Sequence, residues 1–183
     1  VMENRFYNAL HTVDAAVGAV VDALRAAGVW ERTILLVVSD HGEAFYEHGV
    51  PTHGTTLLEE QIRTAAFLRL SGPGPDSAPR VVGEPVSVLD LVPAVADYLG
   101  LPPHGNFQGR YDILDPGYRA QGRPFLFTIQ GITQEDGLLL DDWKLLENRE
   151  RRELALFDLA RDPGERRNLA GSEPARRGAL EQR

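Results

Sequence analysis

The sequence contains no cysteine, so it forms no disulfide and offers no thiol nucleophile. It has no run of about 18 apolar residues, and nothing in it reads as a membrane-spanning helix. Positive charge is scarce: 19 Lys and Arg face 27 Asp and Glu, a formal net charge of −8. That balance argues against a nucleic-acid groove and against adhesion to an anionic membrane. Internal repeats and low-complexity segments are lacking as well. Val1 is not a natural start and the helical pattern is already running by Phe6, so the chain is expected to be the carboxyl-terminal part of a longer protein.

What is present describes a globular chain of one ordinary domain or slightly more. It has 183 residues, 43% of them hydrophobic and 25% charged, which is enough for a real core. Phe6, Leu10, Val13, Val17, Val20, Val21 and Leu24 recur at helical spacing and predict an amphipathic helix closed by Gly28. After a short turn, Thr33 to Val38 reads as a buried apolar strand of the kind found in parallel sheets. Thr56 to Ile62 is a candidate short helix, Ala65 to Leu70 a second apolar strand, and residues 71–76 a Gly/Pro surface loop. Pro85 to Val88 reads as extended, and Leu89 to Leu99 as a helix with Asp90 near its start and Gly100 as its stop.

Beyond about residue 118 the pattern changes. Phe125 to Ile129, Gly137 to Leu140, Trp143 to Leu146 and Leu154 to Phe157 are short runs between turn residues, and predict an antiparallel sheet. Glu173 to Arg183 reads as a frayed surface helix. The expected organisation is thus an α/β part, residues 1–117, followed by a small antiparallel β subdomain with a polar helical tail, residues 118–183.

Chemistry is concentrated where the first strand ends, at Ser39-Asp40-His41-Gly42-Glu43. Open α/β sheets place their reactive groups beyond the carboxyl ends of strands. A carboxylate beside an imidazole suits Mn²⁺ or Zn²⁺, whereas Ca²⁺ and Mg²⁺ prefer all-oxygen sites. Two ligands make a poor site, so Asp40 and His41 need others from elsewhere. From Asp40 to Thr56 the periodicity is lost, and three Gly and three His fall in this segment. Long irregular segments after a sheet strand are commonly functional. His48 and His53 follow His41 by seven and twelve residues, too far for one helix face but within reach of one loop-built pocket. There an imidazole can donate to an ester oxygen or protonate a leaving alkoxide.

Other candidates read as structural. His11 and His104 fit surface or packing roles. Adjacent Glu59 and Glu60 on a helix point about 100° apart and cannot flank one bond as glycosidase carboxylates do; with Glu43 and Glu47 they read as capping and solvated residues. Ser172-Glu173-Pro174-Ala175-Arg176 matches a nucleophile pattern, Ser-x-Pro-x-Arg, but lies in the polar tail with no buried strand to aim it.

Six segments occur in a fixed order: the helix Tyr7 to Leu24; Ser39-Asp40-His41-Gly42-Glu43; His53-Gly54-Thr55-Thr56-Leu57 with Glu59, Glu60 and Arg63; Val86 to Pro93 running on to Leu99-Gly100-Leu101-Pro102; Gly109-Arg110; and Trp143-Lys144-Leu145 with Leu156 to Leu159, Asp162-Pro163, Glu165 and Asn168-Leu169. Together they resemble the sulfatase family of the alkaline phosphatase superfamily, over most of the chain. The resemblance implies an α/β fold with part of an alkaline-phosphatase-like sheet flanked by helices. It implies hydrolysis of a small-molecule or glycan sulfate ester by the intact protein, with Asp40 and His41 as metal ligands. The cation is then Ca²⁺ or Mn²⁺ first, with Zn²⁺ or Mg²⁺ as alternatives. His53 would bind the anion or assist the leaving group, with His48 also at the substrate.

The family's nucleophile, a formylglycine made from Cys or Ser, or an unmodified Ser or Thr, precedes the Asp40 motif and is not found here. His41 stands where many arylsulfatases have Asn, and His53 where they have Lys. The Asp-His form is also similar to choline sulfatases, phosphonate monoester hydrolases and lipid-directed phosphotransferases. A phosphodiester or phosphonate ester therefore stays open as substrate, as does a non-catalytic packing module. Family resemblance makes an exported or periplasmic location plausible; oligomeric state is not legible.

Overall fold

The computed structural model describes residues 2–71 and 79–183, so most of the expected Gly/Pro loop lies outside the described residues. Among the described residues no helix is long and apolar enough to cross a membrane. The chain divides into two compact units, residues 1–53 with 63–80, and residues 54–62 with 81–183.

The first unit opens with α1, Met2–Ala26. Its chain reverses at Gly28, whose φ of +66° is a left-handed value that glycine adopts without a side-chain clash. A 3₁₀ turn, Trp30–Arg32, leads into β1, Leu35–Val38. Arg69 secures this corner: its guanidinium lies over the Trp30 ring at 4.0 Å and donates to the carbonyls of Trp30 and Thr33 at 3.0 and 2.8 Å. Two short strands follow, β2 (Ala44–Phe45) and β3 (Pro51–Thr52), and then, beyond α2 (Glu59–Ile62), β4 (Ala66–Arg69).

One expectation is corrected here. β1 pairs with β4 in antiparallel register, Leu35 opposite Arg69 and Val38 opposite Ala66, and it is half-buried rather than enclosed in a parallel sheet. Val38 and Phe67 remain 44% and 69% exposed. An apolar run reports that a strand has cover to find; it carries no information about the direction of its neighbour. The amphipathic α1 likewise buries no residue fully, although Phe6 meets Phe45 edge-on at 5.1 Å.

The second unit is a four-stranded antiparallel meander, β5 (Pro124–Gln130), β6 (Gln134–Leu140), β7 (Trp143–Asn148) and β8 (Glu153–Asp158). One face packs Leu138, Leu145, Leu156, Ala170 and Leu180; Leu57, Leu146 and Phe157 form a second cluster. Leu180 belongs to α4, Pro174–Glu181, which corrects the expectation of a frayed tail. A polar composition concealed one deeply buried leucine, 4% exposed, and Arg176, whose guanidinium covers the Trp143 ring at 5.0 Å.

Two buried charge networks brace this unit. α3, Val88–Tyr98, begins with a reciprocal capping box between Ser87 and Asp90. The same Asp90 carboxylate accepts from the Arg110 N–H at 2.7 Å and from both terminal nitrogens of Arg123 at 2.8 and 2.7 Å. Burial works to raise the Asp90 carboxyl, but these hydrogen bonds overcome it and hold it below the ordinary value. Ser87 enters this cap with extended backbone, Val88 is already helical, and the expected extended stretch Pro85 to Val88 joins no ladder. In the second network fully buried Lys144 reaches Glu59 at 3.0 Å and Glu165 at 2.8 Å.

Candidate active site

The site grows from the end of β1. Ser39 locks the strand end to its neighbour: its N–H donates to the Ala65 carbonyl at 3.0 Å and its Oγ accepts from the Ala65 N–H at 2.9 Å. With Ser39 fixed, the chain leaves the ladder at Asp40, which is almost fully exposed. The Asp40 carboxylate accepts from the backbone N–H of His41 at 3.0 Å through Oδ1.

His41 Nδ1 lies 2.8 Å from the Gly42 carbonyl. A carbonyl only accepts, so this contact assigns the hydrogen to Nδ1 and leaves the Nε2 lone pair available. Nε2 is 3.6 Å from Asp40 Oδ1. Two donor atoms at that separation can share one cation with bonds of about 2.1 Å, and a ring N–H held by a carbonyl is the usual support of a ligating histidine. The pair therefore fits a divalent cation as two of its ligands. Among the described residues no group of three or more His, Cys, Asp or Glu side chains converges as a cation cage, so the pair is a partial set.

The irregular segment contains a feature that sequence reading missed. β2 and β3 form a small hairpin with Ala44 opposite Thr52 and Phe45 opposite Pro51. That register carries the flanking residues Glu43 and His53 to the open end of the hairpin, opposite one another. Glu43 Oε2 lies 3.1 Å from His53 Nδ1. The His53 ring in turn lies against the His41 ring, centroids 3.9 Å apart and planes inclined by 31°. Within the turn Glu47 accepts from the Phe45 N–H. Tyr46 and Thr52 have φ of +74° and +70°, left-handed values that cost a non-glycine residue about 1–3 kcal/mol each. Backbone in such conformations is held by its surroundings and clusters at working sites.

Asp40, His41, Glu43 and His53 are thus brought together, whereas His48 lies half-buried in the connection between β2 and β3. The remaining candidates behave as structural residues. His104 donates its N–H to the Tyr111 hydroxyl at 2.8 Å and rests near Phe107. Glu59 pairs with Lys144, and the Ser172 hydroxyl donates to the Leu169 carbonyl at 3.3 Å just before α4.

Comparison with known proteins gives this arrangement its context. The family model described as Sulfatase matches residues 2–101, more than half of the chain and all of the site. The chain belongs to the sulfatase family. Arylsulfatase K of Bos taurus is 27% identical over 193 aligned residues, covering 97% of this chain and 35% of that protein. Among solved structures, BT4656 in complex with its substrate D-glucosamine-2-N,6-O-disulfate matches with a TM-score of 0.75 at 20% identity, covering 94% of this chain and 37% of that one. The phosphonate monoester hydrolase SpPMH from Silicibacter pomeroyi matches with a TM-score of 0.73 at 22% identity, covering 93% and 37%. The chain therefore spans roughly a third of the length of these sulfatase-type proteins and has the α/β fold of the corresponding part.

Proposed function

We propose that the intact protein is a divalent-metal-dependent sulfuric ester hydrolase acting on a small-molecule or glycan sulfate. The observation that carries this reading is the run of contacts beyond the end of β1, Asp40 to His41 and His41 to His53, inside the region that matches the sulfatase family. Asp40 and His41 would hold the cation, Ca²⁺ or Mn²⁺ before Zn²⁺ or Mg²⁺. A bound cation supplies Lewis-acid stabilisation of negative charge on the ester oxygens.

The chain's own side chains account for the rest. His53 Nδ1 is engaged by Glu43, so Nε2 is the nitrogen that meets the substrate. In its protonated form Nε2 donates to a sulfate oxygen, or passes its proton to the alkoxide as the ester bond breaks. Sulfate monoesters are anionic, and this chain is acidic as a whole. The cation and His53 together provide the local positive field that anion binding requires. His48 is assigned to the substrate side of the same loop.

A second reading, hydrolysis of a phosphonate monoester or phosphodiester, is favoured by the similarity to SpPMH and by the Asp-His pair. Turnover of the intact protein on an aryl sulfate, an aryl phosphonate monoester and an aryl phosphodiester separates the two. The sulfate reading expects the aryl sulfate to have the highest kcat/KM, with activity lost to chelator and restored by added cation. Faster phosphonate or diester turnover moves the assignment to the second reading, and no turnover on any of them favours a non-catalytic packing module.

A further inference from the structure

We propose that Glu43 is the positioning residue for His53, its carboxylate fixing the imidazole with the hydrogen on Nδ1 and leaving Nε2 for the substrate. The proposal deepens the hydrolase reading and rests on it. The β2–β3 register places the two residues opposite one another, and Glu43 Oε2 stands 3.1 Å from His53 Nδ1. An ionised carboxylate only accepts hydrogen bonds, so the proton between them belongs to Nδ1.

The surroundings reinforce this arrangement. Glu43 is the less exposed partner, with its side chain 20% accessible against 46% for His53. Its other oxygen, Oε1, is buried and has no hydrogen-bond partner among the described residues, so none of their donors competes for the carboxylate. The His41 ring, 3.9 Å away, covers one face of His53 and limits its rotation. A freely turning imidazole would present either nitrogen; here the carboxylate on one edge and the ring on one face select one. Glu43 touches no substrate in this scheme and acts only through His53.

Two readouts on the intact protein test the assignment. The first is the His53 tautomer, from long-range proton–nitrogen correlations with ¹⁵N-labelled histidine, the resonance being assigned by its loss in H53A. Wild type is expected to show Nδ1–H dominant, and Glu43→Ala to lose that dominance. An unchanged tautomer in Glu43→Ala overturns the proposal. The second is a double-mutant cycle on kcat. Glu43→Ala is expected to lower kcat by about 10–100-fold with KM little changed, and Glu43→Asp, which keeps a carboxylate, to recover part of the loss.

Because Glu43 acts through His53, the E43A/H53A double variant is expected to be no slower than H53A. Multiplicative losses mean that Glu43 acts independently of His53, which overturns the proposal. E43Q, close in shape to the native side chain, carries the cycle if E43A fails to fold. If wild type turns over no sulfate, phosphonate or phosphate ester, the hydrolase reading fails while the tautomer measurement still decides whether Glu43 orients His53.

Discussion

The loop after β1 and the sheet β5–β8 use the same ingredients, a carboxylate beside a basic group, in opposite surroundings. In the loop, Glu43 and His53 are 3.1 Å apart and both reach solvent, with side chains 20% and 46% accessible. In the second unit, Glu165 and Lys144 are 2.8 Å apart and neither side chain has any accessible surface. An exposed pair contributes little to stability, because water and salt screen it and ordering two side chains costs entropy. A buried pair has lost its hydration, and breaking one side strands a charge in a medium that cannot solvate it. Chemistry on an anionic ester needs the first arrangement, and bracing a fold can use the second.

The sharpest way to break this contrast is to remove the buried cation. Lys144→Ala takes the buried cation away from the Glu59 and Glu165 carboxylates, and is expected to cost about 3–5 kcal/mol of unfolding free energy in a denaturant titration. A loss under 1 kcal/mol, on the order seen for exposed pairs, would erase the distinction.

Gly109→Ala probes packing beside the Asp90 network. A Cβ there would lie 2.0 Å from the Leu89 carbonyl oxygen, a backbone atom that cannot rotate away. The expected loss is about 1–3 kcal/mol, the range for overpacking, with a matching fall in Tm.

The pH dependence of stability sharpens the contrast further. Burial pushes the Glu165 carboxyl above its ordinary value of 4.5, and Lys144 offsets this only in part. The folded state then holds that proton more tightly than the unfolded state. Glu165 accordingly favours folding at acid pH, and that contribution is lost as pH rises above 4.5 through its folded value. Asp90 has the opposite sign: held below 3.8, it contributes stability above that value and loses it as pH falls through its lowered folded value. Glu165→Gln is expected to flatten the decline above 4.5 in denaturant midpoints while leaving the acid limb due to Asp90 in place. An unchanged slope contradicts the assignment. The smallest effect belongs to the loop: Asp40→Ala is expected to change unfolding free energy by no more than about 0.5 kcal/mol, as befits an exposed side chain outside any buried network.

Much of this was legible because it is local. The heptad-like stripe from Phe6 to Leu24 gave α1, and Gly28 and Gly100 marked helix ends where the structure has positive φ. Asp90, read from the sequence as near the start of its helix, lies there and forms the cap with Ser87. Asp40 and His41 stood out as candidates by their place after an apolar strand, and their reading as metal ligands rested on the family resemblance. What remained hidden depends on register over distance. The Glu43–His53 pairing follows from a hairpin whose turn holds Tyr46 at left-handed φ, and whose β3 includes Thr52 in the same state, which residue type does not announce. The antiparallel β1–β4 ladder and the burial of Leu180 depend on which segment returns to cover an apolar surface, and composition is silent on that. Lys144 meets Glu59 and Glu165 from three separate stretches, and each alone reads as an ordinary surface charge.

The central claim is that the end of β1 is the reacting centre of a sulfatase. Its most direct test is sulfate ester turnover by intact wild type and Asp40→Ala, measured with bound metal on the same samples. The account predicts that Asp40→Ala stays folded, loses bound cation and drops kcat/KM by about a thousandfold or more, on the order of the several kcal/mol a catalytic cation supplies. Undiminished turnover with metal retained in Asp40→Ala would contradict it.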